Sequence, residues 1–151
     1  MKISQDALNK ELKDVKGAGF PIQYPTDADR AKLPDDADGK PDTTKFPMTT
    51  VRHCVFDCLR NYETNTRKEG HYVNLIAHNI NDTKAGEFEL KDKLIEFLKL
   101  VMEDGIMRVA KKKQRGPDGK EFENEVSVGL YKSFLIDQAM GYLGYAIEDD
   151  K

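Results

Sequence analysis

The chain has 151 residues, of which 38% are apolar and 34% are charged, and its formal net charge is −3. This length suits one domain around a single core, and the apolar fraction is too high for wholesale disorder. The small net charge excludes a strongly basic protein that binds nucleic acids or membranes through its overall charge.

Two polar segments precede the first predicted helix. Residues 1–24 hold a short N-terminal element that Gly17, Gly19 and Pro21 prevent from continuing as a helix, so a hairpin and a helix-to-turn segment both fit. Residues 25–47 follow as a polar loop that is rich in proline and aspartate. A loop of this length is unusual in a compact domain, and its low hydrophobicity favours a mobile arm over a segment ordered by a partner.

Apolar residues at helical spacing predict four amphipathic helices. The first begins near Thr49 or Thr50, either of which can cap it, and its apolar face continues to Tyr62. The later helices are predicted over about 69–81, 89–104 and 130–147. The helix over 89–104 is the most apolar, which predicts a central position in the core, and Gly105 is predicted as its left-handed C-cap.

A β-hairpin is predicted between the last two helices. The turn residues Gly116-Pro117-Asp118-Gly119 separate segments rich in Val, Ile and Phe, which indicates pairing of about 106–113 with 121–128. The hairpin carries the densest positive charge of the chain, on Lys111, Lys112, Lys113, Arg115 and Lys120. These side chains could contact phosphate backbones or an acidic protein surface, whereas a solvated edge hairpin protected by lysine is the more ordinary interpretation.

Two patterns resemble metal sites. Cys54 and Cys58 lie one helical turn apart and, with His71 and His78, are residue types that zinc accepts. Their spacing matches no zinc finger, and both cysteines fall on the apolar face, so buried thiols are the favoured interpretation.

The second metal-like pattern is the sequence PDDADG in the polar loop, which resembles the start of an EF-hand. Proline stands at its first ligand position and lysine at its twelfth, so we predict no calcium site. The acidic residues of the loop are instead predicted to contact a partner: Asp27, Asp29, Asp35, Asp36 and Asp38.

Neither a catalytic motif nor a cofactor motif is present. The sequence contains no G-x-S-x-G, no P-loop and no G-x-G-x-x-G. The first residues hold no apolar run of signal-peptide length, and no stretch reaches the ~20 apolar residues of a membrane span. We therefore expect one non-enzymatic domain over 1–151, in the cytoplasm, with neither a cofactor nor a membrane partner.

The segment LIEFLKLVMEDGIMRVAKKK resembles the recognition helix and wing of winged helix-turn-helix proteins. The residues that carry the resemblance are Leu94, Leu98, Gly105, Ile106 or Met107, and Arg108. It implies nucleic-acid binding through the basic hairpin. The acidic residues of the helix and the long turn before it depart from that pattern.

A second resemblance covers more of the chain. The segments LNKELKDVKGAGFPI, TTVRHCVFDCLRN, HYVNLIAHNI, FELKDKLIEFLKLV and LYKSFLIDQAMGYL, in this order, resemble a group of small uncharacterised proteins of tailed bacteriophages. Asp14 and Gly17 match its N-terminal turn, and Thr50, Val51 and Leu59 match its first helix. Relative to that group, 25–47 and 106–128 look like insertions.

Together these patterns predict a mainly helical α+β domain of about four helices and one hairpin. We expect a phage-type protein, located in the host cytoplasm or associated with the virion, that binds a protein partner in virion assembly or host regulation. A winged-helix-like regulator that binds nucleic acid is the alternative. Met140, Tyr142 and Tyr145 could support a homodimer, although core packing is their more ordinary role.

Overall fold

The structure is a computed structural model, and it describes residues 1–147. The last four residues of the predicted domain, 148–151, lie outside the described residues. The elements in chain order are β1 Lys2–Ser4, α1 Gln5–Leu8, α2 Asp27–Ala31, a 3-10 turn Thr43–Lys45, α3 Val51–Asn61, α4 Arg67–Asn81, β2 Glu87–Glu89, α5 Asp92–Asp104, β3 Arg108–Arg115, β4 Glu121–Val128 and α6 Ser133–Leu143. The predicted α+β class with mainly helical content is confirmed.

Helices α3 and α5 form the centre of the core. Helix α3 contacts α1, α4, α5 and α6, which places its apolar face among all the other packed helices. The residues that α5 buries are Leu94, Phe97, Leu98, Val101 and Met102. All five lie in the helix predicted over 89–104, and the central position predicted for this helix is confirmed.

Helix α3 begins at a capping box that involves a histidine. The Thr50 side chain accepts from the backbone N–H of His53 at 3.4 Å, and the Nδ1 atom of His53 accepts from the backbone N–H of Thr50 at 3.0 Å. Because both orphan N–H groups are satisfied locally, the chain turns into the helix at this point. Of the two caps predicted, Thr49 and Thr50, the structure has Thr50.

The N-terminal element is a strand followed by one helical turn. Strand β1 pairs antiparallel with β2, and Ile3 lies opposite Phe88. Its partner therefore lies more than eighty residues along the chain and outside the predicted N-terminal element. Leu8 and Leu12 are fully buried and pack this segment against the helical core.

Segment 25–47 contains α2 and the 3-10 turn, so it is less irregular than the sequence predicts. The N–H of Ile22 donates to the carbonyl of Pro47 at 3.0 Å, which closes the two ends of the segment against each other. None of its residues is buried. Whether it moves as an arm stays a prediction.

The Arg52 side chain joins three elements. Its guanidinium donates to the carbonyl of Ile80, near the end of α4, at 2.8 Å, and to the side chains of Gln5 and Asn9. A cation near a helix C-terminus is favourable because the last carbonyls carry partial negative charge. Arg52 thus fixes α3, α4 and the N-terminal element relative to one another.

Candidate functional site

Strands β3 and β4 form the most exposed regular structure in the described chain. They pair antiparallel over eight residues each, and none of those sixteen residues is buried. At ~3.3 Å per residue, the ribbon extends for about 26 Å. The predicted hairpin is confirmed in place, although its first strand begins and ends two residues later than predicted. We call residues 108–128 the hairpin arm.

A glycine-rich turn closes the arm. The N–H of Gly119 donates to the carbonyl of Gly116 at 3.0 Å, and the Asp118 side chain accepts from the N–H of Lys120 at 3.0 Å. Gly119 has a φ of 78°, which is the left-handed conformation that this type of three-residue hairpin loop needs. With Pro117 at the second turn position, the local sequence specifies the loop and therefore the register of the strands.

The base of the arm is held by the chain that follows it. The N–H of Met107 donates to the carbonyl of Tyr131 at 2.7 Å, and the N–H of Tyr131 donates to the carbonyl of Gly105 at 3.1 Å. Gly129 has a φ of 88° and lies so close to Ile106 that an added Cβ would be 2.2 Å from its carbonyl oxygen. A side chain at this position would therefore disturb the attachment of the arm.

The register places an acidic residue opposite most of the basic ones. Lys111 lies opposite Glu125, Lys113 opposite Glu123, and Arg115 opposite Glu121, all on one face. Lys112 lies on the other face, opposite Asn124, and Lys120 lies beside the turn. Opposite charges on directly facing residues are favourable, so one face carries a basic row beside an acidic row and is not a uniformly basic surface.

The sequence interpretation missed these three glutamates as part of the site. Their signal was present as the alternation E-x-E-x-E in the segment predicted as the second strand. Since alternate residues of a strand share a face, this spacing places three carboxylates in one row. Only the register, set by the turn, places that row beside the lysines.

Two clefts flank the base of the arm, each of about 620 Å³. One is mainly apolar, and its lining includes Phe20, Tyr24, Met107, Leu130 and Phe134. The other is polar, and its lining includes Tyr62, Asp104, Arg108, Lys111 and Ser127. The base of the arm therefore offers a partner two surfaces of different character.

Two of the five predicted contact aspartates of segment 25–47 cap local structure. Asp29 accepts from the backbone and side chain of Thr26 in the capping box of α2, which lowers its pKa although burial opposes the shift. Asp36 accepts from the N–H groups of Asp38 and Lys40. Asp27 forms an exposed ion pair with Arg30, and Asp35 and Asp38 are also exposed. The acidic surface predicted for partner contact is thus built partly from residues that fold the segment.

The zinc candidates lie in different environments. Cys54 and Cys58 are buried as free thiols in the core, whereas His71 and His78 are exposed on α4. The hydrogen bond with the Cys58 side chain, together with burial, holds the pKa of Cys54 above its usual range, which favours the protonated form. Among residues 1–147, no cluster of three or more histidine, cysteine or acidic residues could hold a metal ion.

The helix predicted to resemble a recognition helix packs in the core. The exposed residues of α5 are Asp92, Lys93, Glu96, Leu100 and Glu103, so its accessible face carries more acidic than basic groups. Arg108, at the start of the arm, donates to the carbonyl of Asp104 at 2.8 Å and holds the arm against the end of this helix.

The three residues proposed for a homodimer have different roles. Met140 packs against the core, and the Tyr145 hydroxyl donates to the carbonyl of Ile95 at 2.6 Å. Tyr142 is 46% exposed. Two of the three therefore serve packing within the chain.

A cluster of polar side chains lies between α3 and the segment before α2. His53, Asp57 and Arg60 line a cleft of about 340 Å³. The Asp57 carboxylate is hydrogen-bonded to Tyr131 and Arg60, and His53 is occupied by its capping box. No buried side-chain nitrogen or oxygen in the described chain lacks a hydrogen-bond partner, and these bonds give the cluster a structural role.

Comparisons of the chain with protein-family models, with curated proteins and with solved structures found no match. In the described part of the chain, the helices are too short or too polar to cross a membrane.

Proposed function

We propose that this chain is a non-enzymatic, phage-type protein that binds a protein partner through its hairpin arm. The observation that carries the proposal is the exposure of the arm, in which all sixteen strand residues lie outside the core. An isolated two-stranded hairpin is at best marginally stable in water. A partner that covers it would therefore order it and bury its apolar residues, among them Val109 and Phe122, which are 66% and 47% exposed.

The charge of the arm favours a protein over a nucleic acid. The arm carries six basic and four acidic side chains, and three of the basic ones face glutamates across the ladder. Phosphate binding grows with the number of phosphates that free cations neutralise. A face with a basic row beside an acidic row suits a protein surface, where opposite charges set the orientation and the specificity of the contact.

The bacteriophage assignment, with a role in virion assembly or host regulation, comes from the sequence resemblance alone. The two segments that look like insertions in that comparison, 25–47 and 106–128, are the two most exposed excursions from the helical core. Surface insertions on a rigid scaffold are common carriers of binding specificity.

The test is deletion of the arm, with a short glycine-containing turn joining Met107 to Gly129. The full chain and the deletion variant would each be tagged and purified from the native host, and the captured proteins identified by mass spectrometry. We expect the deletion variant to keep its helical circular dichroism and to lose its partner. A variant shortened within 35–41 is the matched control for loop deletion. If the arm-less protein retained the same partner, the proposal would be wrong.

The alternative is nucleic-acid binding in the manner of a winged helix. The position of the arm directly after α5, fixed by Arg108, favours it. It predicts duplex binding that weakens steeply with salt and is lost in K112E/K113E. The acidic exposed face of α5 favours the protein partner. The absence of any gel shift with a duplex at low salt would dismiss the alternative.

A further inference from the structure

The two strands of the arm carry opposite charge. Strand β3 holds five basic residues and no acidic one, whereas β4 holds three acidic residues and no basic one. In the described chain each strand pairs with the other alone. The arm therefore has one basic edge and one acidic edge, and both are eight residues long.

The backbone groups that point outward can be identified from the turn. The N–H of Gly116 donates to the carbonyl of Lys120 at 3.0 Å, so these opposite residues form a hydrogen-bonded pair. Such pairs alternate with non-hydrogen-bonded pairs along an antiparallel ladder. The outward-pointing groups therefore belong to Val109, Lys111, Lys113 and Arg115 on β3, and to Glu121, Glu123, Glu125 and Ser127 on β4.

The outward backbone groups and the charges thus coincide on the same residues. Six of the eight residues whose N–H and C=O groups are available for a further strand carry lysine, arginine or glutamate side chains, and the other two are Val109 and Ser127. In residues 1–147 no other backbone group is hydrogen-bonded to these outer edges.

We propose that the outer edge of β3 in one copy of this chain pairs antiparallel with the outer edge of β4 in the next copy. This inference rests on the proposed function, because it uses the arm as the binding element. The register of the hairpin can be repeated between copies, with Lys111 of one copy opposite Glu125 of the next and Lys113 opposite Glu123. The arrangement of opposite charges facing each other across the ladder within each arm is then repeated between arms.

Charge selects this pairing over the symmetric ones. Pairing β3 with β3 would set lysine rows against each other, and pairing β4 with β4 would set glutamate rows against each other, and both are destabilising. The favoured contact is therefore head-to-tail. Such a contact leaves one basic and one acidic edge at the ends, so it continues into a ring or an open chain of copies.

The test uses two charge-reversed variants of the full chain. Among the charged outward-pointing residues, K111E/K113E has a majority of acidic side chains on both edges, and E123K/E125K has a majority of basic side chains on both edges. In sedimentation velocity experiments we expect the sedimentation coefficient of the unmodified protein to rise with its concentration. Each variant alone should sediment as a monomer. An equimolar mixture of the two variants should associate again, since each then supplies the edge that the other lacks.

Two further variants keep the test decisive if single-strand reversal melts the arm. The exchange K111E/K113E/E123K/E125K preserves every opposite-charge pair within the arm and should associate like the unmodified protein. Glu123→Pro removes an outward N–H while the inner ladder stays intact, and it should be monomeric. Circular dichroism would check that each variant is folded.

A monomeric unmodified protein at its highest soluble concentration would overturn the inference, and so would undiminished association of Glu123→Pro. If the protein stayed monomeric while deletion of the arm still removed a captured partner, self-pairing would be wrong and the proposed function would stand. If copies associated through the arm but partner capture did not need it, the proposed function would fail alone.

Discussion

The Tyr131 hydroxyl donates a hydrogen bond to the carboxylate of Asp57, which lies 74 positions earlier in the chain. Tyr131 is 1% exposed and Asp57 is 5% exposed. Burial raises the pKa of Asp57, and the hydrogen bonds from Tyr131 and Arg60 oppose that shift. Because Tyr131 also holds the base of the hairpin arm through its backbone, this bond connects α3 to the attachment of the arm.

Removal of the Tyr131 hydroxyl should therefore destabilise the fold. Tyr131→Phe leaves the ring in place and removes one partner of a buried acid, so we expect a loss of about 1–3 kcal/mol in the free energy of unfolding. Urea denaturation would measure the loss. Tyr142→Phe, which changes an exposed tyrosine in α6, is the matched control. Equal stability of the two variants would contradict a role for the bond.

Gly105 is required by packing, whereas the sequence predicts a left-handed cap. Its φ is −74°, an ordinary helical value. An added Cβ would lie 2.5 Å from the Sγ atom of Cys58 on α3 and 3.2 Å from the carbonyl oxygen of Met102. The absence of a side chain lets α3 approach the end of α5. The left-handed prediction is wrong, and close packing accounts for glycine at this position instead.

Gly105→Ala should lower the free energy of unfolding by about 1–3 kcal/mol, the usual cost of overpacking. Gly70→Ala is the matched control, because Gly70 lies inside α4 with open space around it. That variant should be more stable by about 0.5–1 kcal/mol, since alanine loses less backbone entropy in a helix. Thermal denaturation of both variants would show opposite shifts in Tm, and a shift in the same direction would refute the packing explanation.

The helices could be predicted because their buried faces repeat along the sequence. Val51, Val55 and Leu59 follow helical spacing, and all three are buried in α3. Strands β1 and β2 could not be found in this way, because three residues each are too few to show a period. Their pairing depends on the helices between them, which bring the two segments together.

The candidate site could be predicted in part for a similar reason. The turn and the lysine row are local features of the sequence. They therefore predict the position of the hairpin and its basic residues. The pairing of Lys113 with Glu123 depends on the register of the two strands. A shift of one residue would place these two side chains on opposite faces of the hairpin. The capping roles of Asp29 and Asp36 depend on local backbone geometry that acidic composition alone does not reveal.

The histidine capping box predicts a pH-dependent stability. As an acceptor, Nδ1 of His53 must be unprotonated, and burial holds the pKa of His53 below its usual value, although Asp29 and Asp57 oppose the shift. The unfolded chain therefore binds a proton more readily than the folded one. Stability from this group is fully present above the unfolded pKa of about 6.5 and is lost as the pH falls through it toward the lower folded pKa.

His53→Gln keeps an N3 acceptor that does not titrate. We expect it to flatten the dependence of unfolding free energy on pH below about 6.5, relative to the unmodified chain. His71→Gln, at an exposed position on α4, is the matched control and should leave the profile unchanged. Asp57, whose raised pKa favours the folded state in acid, is present in all three proteins, but the charge of His53 lowers the pKa of Asp57, so loss of that charge acts in the same direction as the expected flattening. A profile unaltered by His53→Gln would rule out the capping box as its source.

The side chain of Gln138 on α6 binds both backbone groups of Lys13. Its amide donates to the carbonyl of Lys13 at 2.7 Å, and its oxygen accepts from the N–H of Lys13 at 2.9 Å. These two hydrogen bonds are like those that an adjacent strand would make with Lys13. Here the Gln138 side chain takes the place of a strand. It is the contact that holds the chain after Leu12 against α6.

Gln138→Ala should release this segment locally. Each lost bond is worth about 0.5–1.5 kcal/mol, and both are exposed, so we expect faster amide hydrogen exchange at Lys13 with little change in Tm. Gln138→Glu should also accelerate exchange, because it keeps an acceptor but sets a carboxylate against the Lys13 carbonyl. Asp137→Ala, at the exposed neighbouring position, should leave exchange at Lys13 unchanged. Unaltered protection in both Gln138 variants would show that the buried Leu12 alone holds the segment in place.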